Sequence, residues 1–113
     1  MEKIVEQGIL YDFYGALLTP HQREIYEAVV YENLSLGEIA ADKGISRQGV
    51  HDLIRRCDKI LENYEQKLHL VQRFTDNRKK LTEVREFITN EVSPMQPEKE
   101  TILKLIDDMV EEL

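Results

Sequence analysis

Arg47, Gln48, His51 and Arg55 are the side chains of this sequence best suited to chemistry, and that chemistry is recognition rather than bond-making. On a helix turning about 100° per residue they fall within an arc of roughly 100°, while Val50, Leu53, Ile54 and Cys57 fall on a separate, core-facing arc. An Arg can fork onto guanine O6 and N7 or onto a phosphate, and a Gln can pair bidentately with adenine. Ser46 stands just ahead of them as a helix cap, where neighbouring backbone N–H groups can hold a phosphate and fix register. Lys43, Arg56 and Lys59 are spaced to touch backbone phosphates from the side.

The elements that must position this face are read from caps and periodicity. Ser35-Leu36-Gly37-Glu38 is a capping box that opens a short helix with Leu36, Ile39 and Ala40 on its core side. Gly44 closes it, Ile45 packs into the turn, and Ser46 starts the next helix. This order, a capped short helix, a Gly-containing turn and a second capped helix, is that of a helix-turn-helix over about residues 35–62.

Helical spacing continues on both sides, and no period-2 alternation is long enough for a strand, so the fold class is all-α with five to six helices. A first helix is predicted over Glu2 to Leu17. A second begins at Pro20 behind the Thr19–Gln22 capping box, buries Ile25, Val29 and Val30 with Tyr26 and Tyr31 on its flanks, and ends near Asn33. The helix carrying Arg47 continues as a long apolar seam through Tyr64, Leu68, Val71 and Phe74, with its break expected at Thr75-Asp76-Asn77. His69 then reads as a flank of the seam. A fifth helix runs to about Asn90, Ser93 to Pro97 connect, and a last helix spans about Glu98 to Glu112. The expected division is a helical domain, 1–66, and an extension, 67–113, packed on the first part or on a second copy.

Length and charge restrict the function. A chain of 113 residues has room for one compact domain plus an appendage. A net charge of −7 and a pI of about 5.0 argue against a general nucleic-acid coating protein, although a local basic patch is compatible with them. Acidic residues concentrate after Glu91, which makes the last helix a solvated face or an acidic docking surface. Around the Arg47 face the excess of positive charge is small, and Asp52 and Asp58 are close enough in sequence to neutralise part of it. So small a footprint predicts weak binding by a monomer, which a homodimer would double.

Other chemistries find no support in the pattern. His21, His51 and His69 lack metal-ligand spacing with one another or with Cys57, no Gly-rich phosphate loop is present, and no Ser-His-Asp order stands out. The expectation is a non-enzymatic protein without cofactor or metal. The one cysteine, Cys57, lies among apolar neighbours and reads as core. No apolar run approaches the roughly 18 residues a membrane span needs, and the start lacks a signal-peptide h-region, so a cytoplasmic location without membrane insertion is expected.

Leu18-Thr19-Pro20 with Gln22-Arg23, then Leu36, Ile39-Ala40 and Ser46-Arg47, resembles region 4 of the sigma-70 family, the part that reads the −35 promoter element. Over its full length the chain is most similar to the YlxM family of small bacterial helix-turn-helix proteins. The resemblance rests on Leu10 to Pro20, Tyr31 with Leu34 to Ala40, and Ser46-Arg47-Gln48-Gly49-Val50. It implies a gene beside those for the signal recognition particle GTPase and its receptor, and hence a regulatory or accessory part in that pathway. Two functions therefore stay open. The first is a regulator whose Arg47 face contacts nucleic acid, DNA ahead of RNA. The second is a protein-interaction module that binds a targeting GTPase or polymerase subunit through its acidic last helix.

Overall fold

The computed structural model describes residues 2–113, which are all-α with no strand among them. Six helices follow in order: α1 (Lys3–Tyr14), α2 (Pro20–Val30), α3 (Leu36–Lys43), α4 (Arg47–Leu68), α5 (Leu70–Glu91) and α6 (Glu98–Glu112). A 3-10 turn over Gly15–Leu17 follows α1, so the first helix ends three residues before the expected Leu17. The chain divides into two compact units, Met1–Val71 and Gln72–Leu113.

In the first unit the helix starts are fixed by local hydrogen bonds. The Thr19 and Gln22 side chains satisfy each other's backbone N–H groups at 3.2 and 2.9 Å, with Pro20 at the first helical position. Ser35 and Glu38 do the same for α3 at 3.1 and 3.3 Å. Asn33 takes the left-handed conformation, φ 55°, just beyond α2, as its side chain permits. Gly44 does so at φ 68° after α3, where no Cβ strain opposes it.

α4 packs against α1, α2 and α3 and supplies Val50, Ile54, Cys57 and Leu61 to the core. Facing them are Tyr14, Leu18, Ile25, Ala28, Ile39 and Ala40. Tyr26, expected on a flank, is wholly buried, whereas Val29 and Val30 are only half-buried. Its hydroxyl explains the difference: buried phenol needs a partner, and Asp58 on α4 provides one. Tyr31 does stay at the surface, its ring edge against Tyr11. Ile45 remains partly exposed rather than filling the turn.

The long seam breaks at His69, not at Thr75-Asp76-Asn77. His69 adopts φ 57°, a conformation that is uncommon and costly for a residue with a Cβ. What stabilises the break comes from far away in the chain. The Tyr14 hydroxyl accepts the Leu70 N–H at 3.1 Å and itself donates to the Glu65 carboxylate, which accepts the Val71 N–H at 3.0 Å. Two of the four N–H groups left open at the start of α5 are thereby satisfied.

The second unit is a helical hairpin of α5 and α6. Lys99 donates to the Thr89 and Val92 carbonyls, both at 3.0 Å, and so covers the C-terminal end of α5 with a positive charge. Arg85 grips Asp107 with Nε and Nη2 at 2.8 and 3.4 Å. Ile106 is buried, and no residue of α5 is.

Candidate nucleic-acid interface

The helix-turn-helix places α4 by a tight local sequence of constraints. Ile45 N–H reaches back to the Ala40 carbonyl at 3.2 Å, the chain turns at Gly44, and Ser46 Oγ accepts the Gly49 N–H at 2.9 Å. Gly49 leaves room for this cap: a Cβ there would sit 3.0 Å from Ser46 Oγ, close enough to press on it.

Arg47, Gln48 and His51 are exposed and, with Leu36 of α3, line a shallow depression of about 390 Å³. Arg55, Arg56 and Lys59 line a second of about 240 Å³ with Asp52 between them. Of the eight residues expected at a polyanion, six thus fall into two groups on α4, while Ser46 caps that helix and Lys43 ends α3. Among the described residues no carboxylate lies within salt-bridge distance of Arg47, Arg55, Arg56 or Lys59.

Two members are already engaged, and a third has a carboxylate nearby. Lys43 Nζ is bonded to the Glu24 carboxylate on α2, with Asp42 at 3.7 Å, and this pair holds Glu24 below and Lys43 above their ordinary pKa values. Gln48 Nε2 donates to Asp52 Oδ1 at 2.9 Å, and His51 Nδ1 lies 3.8 Å from the same oxygen. Asp52 thus holds the Gln48 side chain and lies close to His51 without a hydrogen bond to it.

Asp58 forms no ion pair with Arg55, Arg56 or Lys59. It shares an angular arc with His51 and Arg55, but lies further along α4, where α1 and α2 cover it. Tyr26 donates to its Oδ1 at 2.6 Å, Gln7 Nε2 donates to both oxygens at 2.9 and 3.2 Å, and Lys3 stands 4.0 Å away. Burial first, and this carboxylate second, push the Tyr26 hydroxyl well above its ordinary pKa. The network fixes the rotation of α4 about its axis, and with it the direction in which Arg55 and Lys59 point. Nothing in the local pattern of α4 disclosed it, though an Asp flanked by core residues Ile54, Cys57 and Leu61 was the available signal.

The remaining reactive groups are quiet. Cys57 is fully buried, and desolvation pushes its thiol up to about 11, so thiolate is scarce near neutral pH. Among the described residues no three His, Cys, Asp or Glu side chains are placed to hold a metal ion. No helix there is long and apolar enough to cross a membrane.

A capped short helix, a left-handed Gly turn and a second helix with an open cationic side define the chain as a helix-turn-helix protein. It belongs to the family described as "Putative helix-turn-helix protein, YlxM / p13 like", which it matches over residues 1–108. A UPF0122 protein of Acetivibrio thermocellus is 40% identical over 114 residues, covering 100% of this chain and 97% of the relative. One of Anoxybacillus flavithermus is 41% identical over 106 residues, covering 94% and 93%. One of Caldanaerobacter subterraneus reaches 50% over 80 residues, 71% and 68% of the two chains.

Proposed function

We propose that this protein is a non-enzymatic regulatory or accessory factor that binds nucleic acid through the outward side of α4, with DNA ahead of RNA. The observation that carries the reading is the set of four unpaired cations, Arg47, Arg55, Arg56 and Lys59, on the second helix of a helix-turn-helix. Arg47 and Gln48 address base edges, and Ser46 with the first-turn N–H groups takes a phosphate. Arg55, Arg56 and Lys59 follow the backbone. His51 adds a donor once it leaves Asp52, and Lys43 contributes by exchanging Glu24 for phosphate. The B-form major groove admits a helix of this kind, while regular A-form RNA does not, so an RNA target would present a loop or distorted site.

The wider setting belongs to the same proposal: a cytoplasmic homodimer acting alongside signal recognition particle components. Family membership supports the nucleic-acid part. The pathway rests on the resemblance alone.

The test is fluorescence anisotropy with a random-sequence duplex and a structured RNA hairpin, titrated at several salt concentrations. Each cation removed from a phosphate contact lowers the salt slope by about 1, so Arg47→Ala with Arg55→Ala flattens it by about 1 per copy, through Arg55, and the loss of both side chains weakens binding at low salt. Unchanged binding by this double variant refutes the proposal. In that case loss of a crosslinked cellular protein on deleting residues 98–113 would establish the interaction-module function instead.

A further inference from the structure

The hairpin of α5 and α6 leaves one side without a partner. Phe87 is 61% and Leu105 56% exposed, and Val84, Ile102 and Met109 are also open. These five share one surface. At about 100° per residue Val84 and Phe87 lie on the side of α5 that carries Asn77 and Lys80, and Ile102, Leu105 and Met109 lie on one side of α6. A depression of about 530 Å³ in which Asn77 and Lys80 meet Met109 and Leu113 joins those two sides. The Arg85–Asp107 pair closes the opposite edge of the hairpin.

We infer that this face is the interface between two copies of the chain, each hairpin completing the other as an antiparallel four-helix bundle. Two helices form a single layer, and a stable core needs two, which is why only Ile106 is buried in α6 and nothing in α5. The exposed apolar side chains amount to on the order of 500 Å² per copy, near the upper end for a monomer and a large part of the roughly 800 Å² per partner of a standard interface.

Charge selects a second copy over other occupants. The C-terminal end of α6 is strongly acidic, with Asp108, Glu111 and Glu112, whereas in the N-terminal half of α5, which an antiparallel partner helix would set against it, Arg73, Arg78, Lys79 and Lys80 outnumber Asp76. A two-fold axis parallel to the helices sets α5 of each copy beside α6 of the other, basic rim against acidic rim. The same acidic helix disfavours a nucleic acid or an anionic bilayer on this face.

The inference extends the two-copy part of the proposed function by assigning its surface, and its readout is mass rather than nucleic-acid affinity. Sedimentation equilibrium of the full chain between about 1 and 200 µM is expected to give twice 13.3 kDa at the upper end. Phe87→Glu with Leu105→Glu is expected to give the monomer mass throughout, with Leu17→Glu, an exposed apolar position of the first unit, leaving the dimer intact. Should the double variant lose its circular dichroism, benzoylphenylalanine placed at position 87 replaces it. Irradiation is then expected to yield a product of doubled mass, and the same probe at position 17 none. A wild-type monomer at all concentrations overturns the inference, as does a dimer that survives the double substitution or yields no crosslink from position 87. A dimer that fails to bind nucleic acid leaves it standing and removes only the function proposed for α4.

Discussion

Tyr26→Phe tests what orients α4. Tyr26 is wholly buried and its hydroxyl donates to Asp58 Oδ1 at 2.6 Å, with only 13% of the Asp58 side chain exposed. Phe fills the same volume, so no cavity forms and the change isolates one hydrogen bond to a carboxylate, a class worth about 1.5–3 kcal/mol. Asp58 keeps Gln7 at 2.9 and 3.2 Å, which holds the cost to about 2 kcal/mol, or roughly 8 °C or more in Tm for a unit of this size. Urea unfolding followed at 222 nm reads the loss, and Asp58→Ala with the double variant completes a mutant cycle. A coupling of about 1–2 kcal/mol is expected, because each single change removes the same bond. A Tyr26→Phe cost below about 0.5 kcal/mol, or strictly additive costs, would refute the role given to this network.

Three further outcomes follow from the same geometry. Tyr26 and Cys57 titrate above their ordinary values of 10.0 and 9.0 because the fold desolvates them, so the unfolded chain releases these protons first. Stability is fully present below about pH 9 and falls as pH rises through 9 to 11 for the thiol and beyond 10 for the phenol, by about 1.4 kcal/mol per pH unit for each group. Urea melts at pH 8 and 11 measure it, and Cys57→Ser with Tyr26→Phe should make the fall shallower, the remaining slope coming from Tyr11, Tyr14 and Tyr31, which burial also raises. Gly44→Ala should cost about 1–2 kcal/mol through its φ of 68° alone, since nothing lies within 4 Å of the new Cβ, and Gly44→Asn should cost less. Tyr14→Phe removes the acceptor of the Leu70 N–H but not that of Val71, so hydrogen exchange at Leu70 should accelerate by at least about tenfold relative to Val71.

The helix-turn-helix was legible because each of its signals is local. Thr19 with Gln22, Ser35 with Glu38 and Ser46 with Gly49 close hydrogen bonds three residues apart, and Gly44 needs no partner to turn the chain. The exposed position of Arg47, Gln48, His51 and Arg55 followed from helical periodicity against Val50, Ile54 and Cys57. The break at His69 could not be read in the same way. Leu68-His69-Leu70 contains no Gly, Pro or Asn, and the hydroxyl that accepts the Leu70 N–H belongs to Tyr14, 56 residues earlier.

By itself, then, the sequence determined the number of helices, their caps in the first unit and the cationic arc of α4, since these depend on residues within one or two turns of each other. Only tertiary structure decided which charges on and beside that arc stay available. Asp58 is drawn inward by Tyr26 from 32 residues away, and Lys43 is taken by Glu24 from 19 away. A carboxylate's lone pairs go to whichever donors packing brings nearest, and packing brings together residues that the chain order keeps apart.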